Sequence, residues 1–113
     1  MESVRHATLS TLFDSQGPLA KQFPGFTPRT EQLALSETIE LGLKGNRPVL
    51  AEAATGVGKT LAYLVPLLHW IDKTGASAVV STHTLALQSQ LVERDVPALL
   101  AAFPKLDIRP IAL

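Results

Sequence analysis

From Thr30 to Lys44, Leu35, Ile39 and Leu43 recur every four residues, while Glu37, Glu40 and Lys44 fall on another face. That spacing predicts an amphipathic helix. Gly45 and Asn46 follow at once, residues that tolerate the left-handed conformation closing many helices, so the helix ends there. Upstream, residues 3 to 13 suit a short helix, and Gly17, Pro18, Pro24, Gly25 and Pro28 mark a looped segment up to Arg29. Downstream, Pro48 to Ala53 (PVLAEA) reads as a short buried strand running into a glycine-containing loop. A helix is expected from Lys59 to about Ile71, apolar on nearly every side and so sandwiched against a sheet. Pro66 lies inside it, lacks an N–H and should bend or split it. Asp72 to Gly75 is a turn, and the β-branched, apolar run Ala76 to Thr82 predicts a second buried strand. Thr84 to Asp95 predicts a further helix, stopped before Pro97, and a third strand is expected near Ile108 to Leu113.

The order strand, helix, strand, helix implies parallel strands joined by right-handed crossovers, an α/β fold. At 113 residues the chain has the length of one small domain. It divides into a helix-and-loop lead-in, 1–29, and an α/β body, 30–113.

Charge changes this picture little. Ten Lys plus Arg balance ten Asp plus Glu, so bulk electrostatics do not point to nucleic acid, and any such contact must be local. There are no cysteines, which excludes disulfides and thiolate metal sites within these residues. The N-terminus has no sustained apolar run, and Leu61 to Ile71 is too short to span a bilayer. A cytoplasmic location with no membrane partner is expected.

The chemistry is concentrated in Ala53-Ala54-Thr55-Gly56-Val57-Gly58-Lys59-Thr60. It fits the phosphate-loop pattern G-x-x-x-x-G-K-[ST] except that Ala53 stands at the first glycine. Gly56 and Gly58 let backbone N–H groups turn inward around phosphate oxygens, and the following helix adds the positive end of its dipole. In such a loop Lys59 reaches the β- and γ-phosphates and the Thr60 hydroxyl ligates Mg²⁺, which makes both catalytic candidates and ATP the expected cofactor. The competing reading is a strand-to-helix turn with a solvated lysine, but a predicted strand before the loop and a predicted helix after it supply the required context.

The longer string from Glu52 to Pro66, EAATGVGKTLAYLVP, resembles the EAGTGTGKTxAYLxP signature of the DinG and YoaA helicases, relatives of XPD in superfamily 2; Ala54 departs from the usual glycine. Gly17-Pro18-Leu19-Ala20 and Phe23 to Gln32 are similar to that family's GPLA…PGFxPRxxQ lead-in. The resemblance implies that Gln32 senses adenine, with Phe26 and Arg29 shaping the base pocket. An amide can both donate to and accept from the purine edge. Without the resemblance, Gln32 reads as a surface helix residue. Ala54, Thr55, Gly56, Val57, Gly58, Lys59, Thr60 and Leu61 complete the implied nucleotide site. Ser81 to Leu91, STHTLALQSQL, resembles motif Ia, STxTxxLQxQL, which implies backbone contacts to single-stranded DNA from Thr82, Thr84 and Gln88. The plain alternative is that Thr82 or Thr84 caps a helix.

By the same resemblance, residues 30–113 are the first part of a truncated RecA-like ATP-binding domain, in an enzyme that unwinds tailed or forked DNA 5′ to 3′. The chain has no Asp-Glu pair for the Mg²⁺ and the attacking water and no second motor domain, so it is expected to be an inactive piece of a longer helicase. An iron–sulfur cluster is possible in that parent but not within these residues, and its protein partners are unknown. The alternative is a stand-alone P-loop nucleotide-binding module. His69 and Trp70 are expected in the core, His83 lacks companions at metal-ligand spacing, and Glu40 with Lys44 should form an exposed pair.

Overall fold

A computed structural model describes residues 8–53 and 58–113. Its elements are helices: α1 (Leu9–Leu12), α2 (Pro18–Gln22), α3 (Thr30–Gly45), α4 (Lys59–Thr74), α5 (Leu85–Gln90), a π-helical turn (Leu91–Asp95) and α6 (Val96–Ala102).

Local chemistry explains most of the boundaries. The Thr8 hydroxyl accepts the Thr11 N–H at 3.4 Å to cap α1. Pro18 opens α2, where its missing N–H costs nothing. Asn46 closes α3 in the left-handed region (φ 53°, ψ 47°), and the Arg47 N–H returns to the Gly42 carbonyl at 2.9 Å. Gly75 (φ 76°) ends α4, its N–H donating to Ile71 O at 2.8 Å.

Helix α4 is the organising element. Leu64, Val65 and Leu68 pack with Leu9, Leu12 and Phe13 around α1, Leu19 of α2, and Val96, Leu99 and Phe103 around α6. Another side of α4 lies along α3. Burying each of the larger of these side chains is worth about 1.5–3 kcal/mol. The His69 ring meets the Phe103 ring of the core edge-on at 4.7 Å, whereas Trp70 is half-buried and lies outside the core cluster where it was expected. The Glu40–Lys44 pair forms at 3.7 Å on the surface.

The expected α/β architecture is not present: among the described residues there is no strand and no sheet. Residues 48–53, 76–82 and 108–113 carry no regular secondary structure and exchange no ladder hydrogen bonds, and Leu50, Val79, Ile111 and Leu113 are exposed. A helix satisfies its backbone within its own segment, whereas a strand exists only when a neighbour supplies donors and acceptors in register. Strand preference without such pairing makes no strand.

Three further expectations change. Helix α4 runs unbroken through Pro66, which is buried in it. The segment after Leu85 does not stop before Pro97 but continues into α6 through the π-helical turn, where the Val96 N–H returns to Leu91 O. An α-helical path would drive the Pro97 ring against the Glu93 carbonyl, and the wider turn relieves that clash. On α3, finally, the most buried positions are Gln32, Ser36 and Gly42 rather than Leu35, Ile39 and Leu43, which are half-buried. Gln32 reaches the turn before α4, and Gly42 is covered by Arg47 and Val49 of the segment that follows α3, where a side chain would not fit.

Candidate nucleotide site

Gly58 precedes α4 in the left-handed region (φ 78°, ψ 48°) and Lys59 and Thr60 form the first turn. Lys59 is exposed and Thr60 half-buried. The helix is 16 residues long, so its N-terminal N–H groups present a full partial positive charge to an anion. Ala54, Thr55, Gly56 and Val57 lie outside the described residues. The site is thus defined by its downstream flank and by what packs on it.

That packing is supplied by Gln32 in the first turn of α3. Its Nε2 donates to the Gly58 carbonyl oxygen at 3.1 Å. A Cβ on Gly58 would collide with that amide, so glycine is required both by the backbone angle and by the neighbour. Gln32 is only 3% exposed, and its Oε1 is buried with no hydrogen-bond partner among the described residues. It is not a solvated helix position. An orphaned buried amide oxygen costs about 1–3 kcal/mol, a penalty that a donating ligand would remove.

The other implied base-pocket residues are placed differently. Phe26 is half-buried against the core, its ring 6.4 Å from that of Phe13 and tilted by 39°. Arg29 is exposed at the N-cap of α3, and Leu61 is half-buried against the core.

Thr84 caps α5, its Oγ1 accepting the Leu87 N–H at 3.1 Å, so the capping reading holds for it. Accepting leaves the Thr84 O–H free to donate elsewhere. The Thr82 O–H, by contrast, donates to the Thr84 carbonyl at 3.0 Å. Gln88 and Thr82 both border a groove of about 910 Å³ whose other walls include Leu64, Leu68, Val79 and Ile111. That groove reaches neither Lys59 nor Thr60. A smaller cavity of about 110 Å³ reaches Thr60 but not Lys59, and brings Thr60 and Thr82 together with Tyr63, Gln90 and Asp95.

Asp95 was legible in the sequence only as a helix end. It is 7% exposed, at the last position of the π-helical turn. Its carboxylate accepts from Gln90 Nε2 at 3.4 Å and from Arg94 Nε at 3.3 Å. Burial, and secondarily the Asp95 charge, push the Tyr63 phenol above its ordinary value. The available signal was a carboxylate two residues before a proline in an otherwise helical run. Among the described residues, no group of three or more His, Cys, Asp or Glu side chains is placed to hold a metal ion, and no helix is long and apolar enough to cross a membrane.

The family model for DEAD/DEAH box helicases matches residues 33–101, more than half of the chain, from within α3 through most of α6. The chain belongs to the DEAD/DEAH box helicase family. It is 41% identical over 85 residues to the ATP-dependent DNA helicase YoaA of Escherichia coli, covering 75% of this chain and 13% of that protein. It is 37% identical over 91 residues to YoaA of Haemophilus influenzae, covering 80% of this chain and 14% of the relative. The 3'-5' exonuclease DinG of Staphylococcus aureus is 45% identical over 75 residues, or 66% of this chain and 8% of its own length. The chain therefore spans a small part of the proteins it resembles. No solved structure matches it.

Proposed function

We propose that this chain is the first nucleotide-contacting segment of an ATP-dependent DNA helicase, with Gln32 reading the base and the α4 N-terminus holding the phosphates. The observation that carries this is the Gln32–Gly58 hydrogen bond, which joins the base-reading candidate to the phosphate-binding turn across 26 residues of sequence. The residues present fit an adenine nucleotide: the unpartnered Gln32 Oε1 calls for a donor, and the exocyclic amine of adenine is one.

Each side chain then has a definable task. Lys59 offers an ammonium to the β- and γ-phosphate oxygens, and Thr60 offers a hydroxyl oxygen to Mg²⁺. Gly58 keeps the turn open, and Gln32 holds that turn through its carbonyl. When bound, ATP with Mg²⁺ supplies the phosphoanhydride whose hydrolysis drives movement. Thr84, with its O–H free, donates to a DNA phosphate oxygen, and Gln88 lines the neighbouring groove; such contacts position a strand without reading its sequence. Movement 5′ to 3′ along single-stranded DNA, in the cytoplasm, completes the reading. The acidic and arginine groups that hydrolysis also needs belong to other parts of the full-length protein.

The test is nucleotide-dependent unwinding of 5′-tailed and 3′-tailed duplexes by the full-length protein and its Lys59→Ala variant. Wild type is expected to use ATP over GTP and to open 5′-tailed substrates. Lys59→Ala should abolish unwinding, since each lost charge-assisted bond to phosphate is worth about 1.5–3 kcal/mol. Unwinding by the variant at the wild-type rate, or equal use of ATP and GTP by wild type, would sink the proposal.

A further inference from the structure

The small cavity beside Thr60 carries a second role. A carboxylate taken out of water is costly unless its oxygens are well bonded, and Asp95 is 7% exposed with partners only at 3.3 and 3.4 Å, the long end of the useful range. Of its roughly four acceptor positions, about half remain open among the described residues. They give onto a space of about 110 Å³, room for a few ordered waters at ~30 Å³ each. The opposite walls of that space are the hydroxyl-bearing residues Thr60 and Tyr63, from the first two turns of α4, and Thr82, from the segment that leads into α5. Thr60 is the Mg²⁺-ligand candidate and Thr82 stands two residues before the strand-binding candidate Thr84, to whose carbonyl it donates.

The chain adopts a π-helical turn at this place, and such turns gather at functional sites. Here the extra residue in the turn delivers Asp95, the last of the five, into the cavity.

We propose that Asp95 is a positioning residue that couples Thr60 at the nucleotide to Thr82 and Thr84 at the DNA strand, directly or through the waters of this cavity, so that stimulation of ATP hydrolysis by DNA passes through its carboxylate. The inference rests on the nucleotide and DNA roles proposed above. Displacement of the Thr82 hydroxyl by a bound strand alters what the carboxylate holds, and the change is felt at Thr60 on the other wall. Tyr63 lines the same space, its phenol pushed above its ordinary value by burial and, secondarily, by the Asp95 charge.

The experiment is steady-state ATP hydrolysis by the full-length protein with and without single-stranded DNA, alongside ATP affinity and thermal midpoint, for wild type, Asp95→Asn, Thr82→Val and the double variant. Asp95→Asn keeps size and an acceptor oxygen and removes the charge. It is expected to retain ATP affinity and DNA-free turnover, and to lose stimulation by about fivefold or more, the usual scale of coupling between sites. Thr82→Val should lose stimulation similarly, and the double variant no further, as residues acting through one linkage do. Unchanged stimulation in Asp95→Asn, a parallel fall of both rates with the thermal midpoint, or fully additive losses would each overturn the inference. Should Asp95→Asn fail to fold, full stimulation in Thr82→Val would overturn it alone. Absence of ATP turnover in wild type would instead strike the proposed function itself.

Discussion

At the scale of single residues, Gly58 and Gln32 form the most constrained pair in the chain. The glycine occupies a left-handed conformation that costs other residues about 1–3 kcal/mol, and its missing Cβ is the space into which the Gln32 amide fits. Gly58→Ala is therefore expected to destabilise the protein by at least that amount in a urea titration and to weaken ATP affinity, whereas Gly25→Ala, equally left-handed but open on its Cβ side, should cost only the backbone term. Equal effects of the two would show that Gln32 does not press on the turn. The proposed phosphate loop announces itself in the sequence because glycine, lysine and threonine are the residues that such chemistry calls for. The burial of Gln32 was not readable, because a glutamine in the first turn of an amphipathic helix looks solvated until its neighbour is known. Asp95 escaped for the same reason: nothing in a lone aspartate announces the cavity it will face.

At the scale of elements, the longer helices were legible, whereas α2 falls where a loop was expected and the expected strands are absent among the described residues. Helix α4 runs to Thr74 instead of giving way to a turn after Ile71, but the bounds of α3 and the start of α4 followed from periodicity, from Asn46 as a terminator and from the glycines before Lys59. These are local causes acting within a few residues. The face of α3 that turns inward, and the pairing of 48–53, 76–82 and 108–113, depend on partners far along the chain. Helix α4 offers a direct check. Leu64→Ala should lower stability by about 2–5 kcal/mol, as truncation of a buried leucine does, while Leu41→Ala on α3, at 68% exposure, should stay within about 0.5 kcal/mol. Comparable losses measured by chemical denaturation would mean that the apolar residues of α3, not those of α4, carry the core.

At the scale of the whole molecule, apolar surface is unevenly distributed. Leu50, Val79, Ile111 and Leu113 are largely exposed on segments without regular structure, and backbone groups without ladder partners are a template for pairing with another chain. The isolated 113-residue chain is expected to self-associate as its concentration rises, seen as a growing weight-average mass in sedimentation, and Val79→Lys should reduce that tendency. A monomer at every concentration would refute this. Helix α4 has a different consequence. Its first two residues face the proposed nucleotide while its middle, Leu64, Val65 and Leu68, is the centre of the hydrophobic cluster. The same rigid rod is thus both foundation and tool, and over evolutionary time it can drift on neither account. Heritable variation should accumulate instead on the outward side of α3, around Glu37, Leu41 and Lys44, where a change reaches neither the cluster nor the nucleotide.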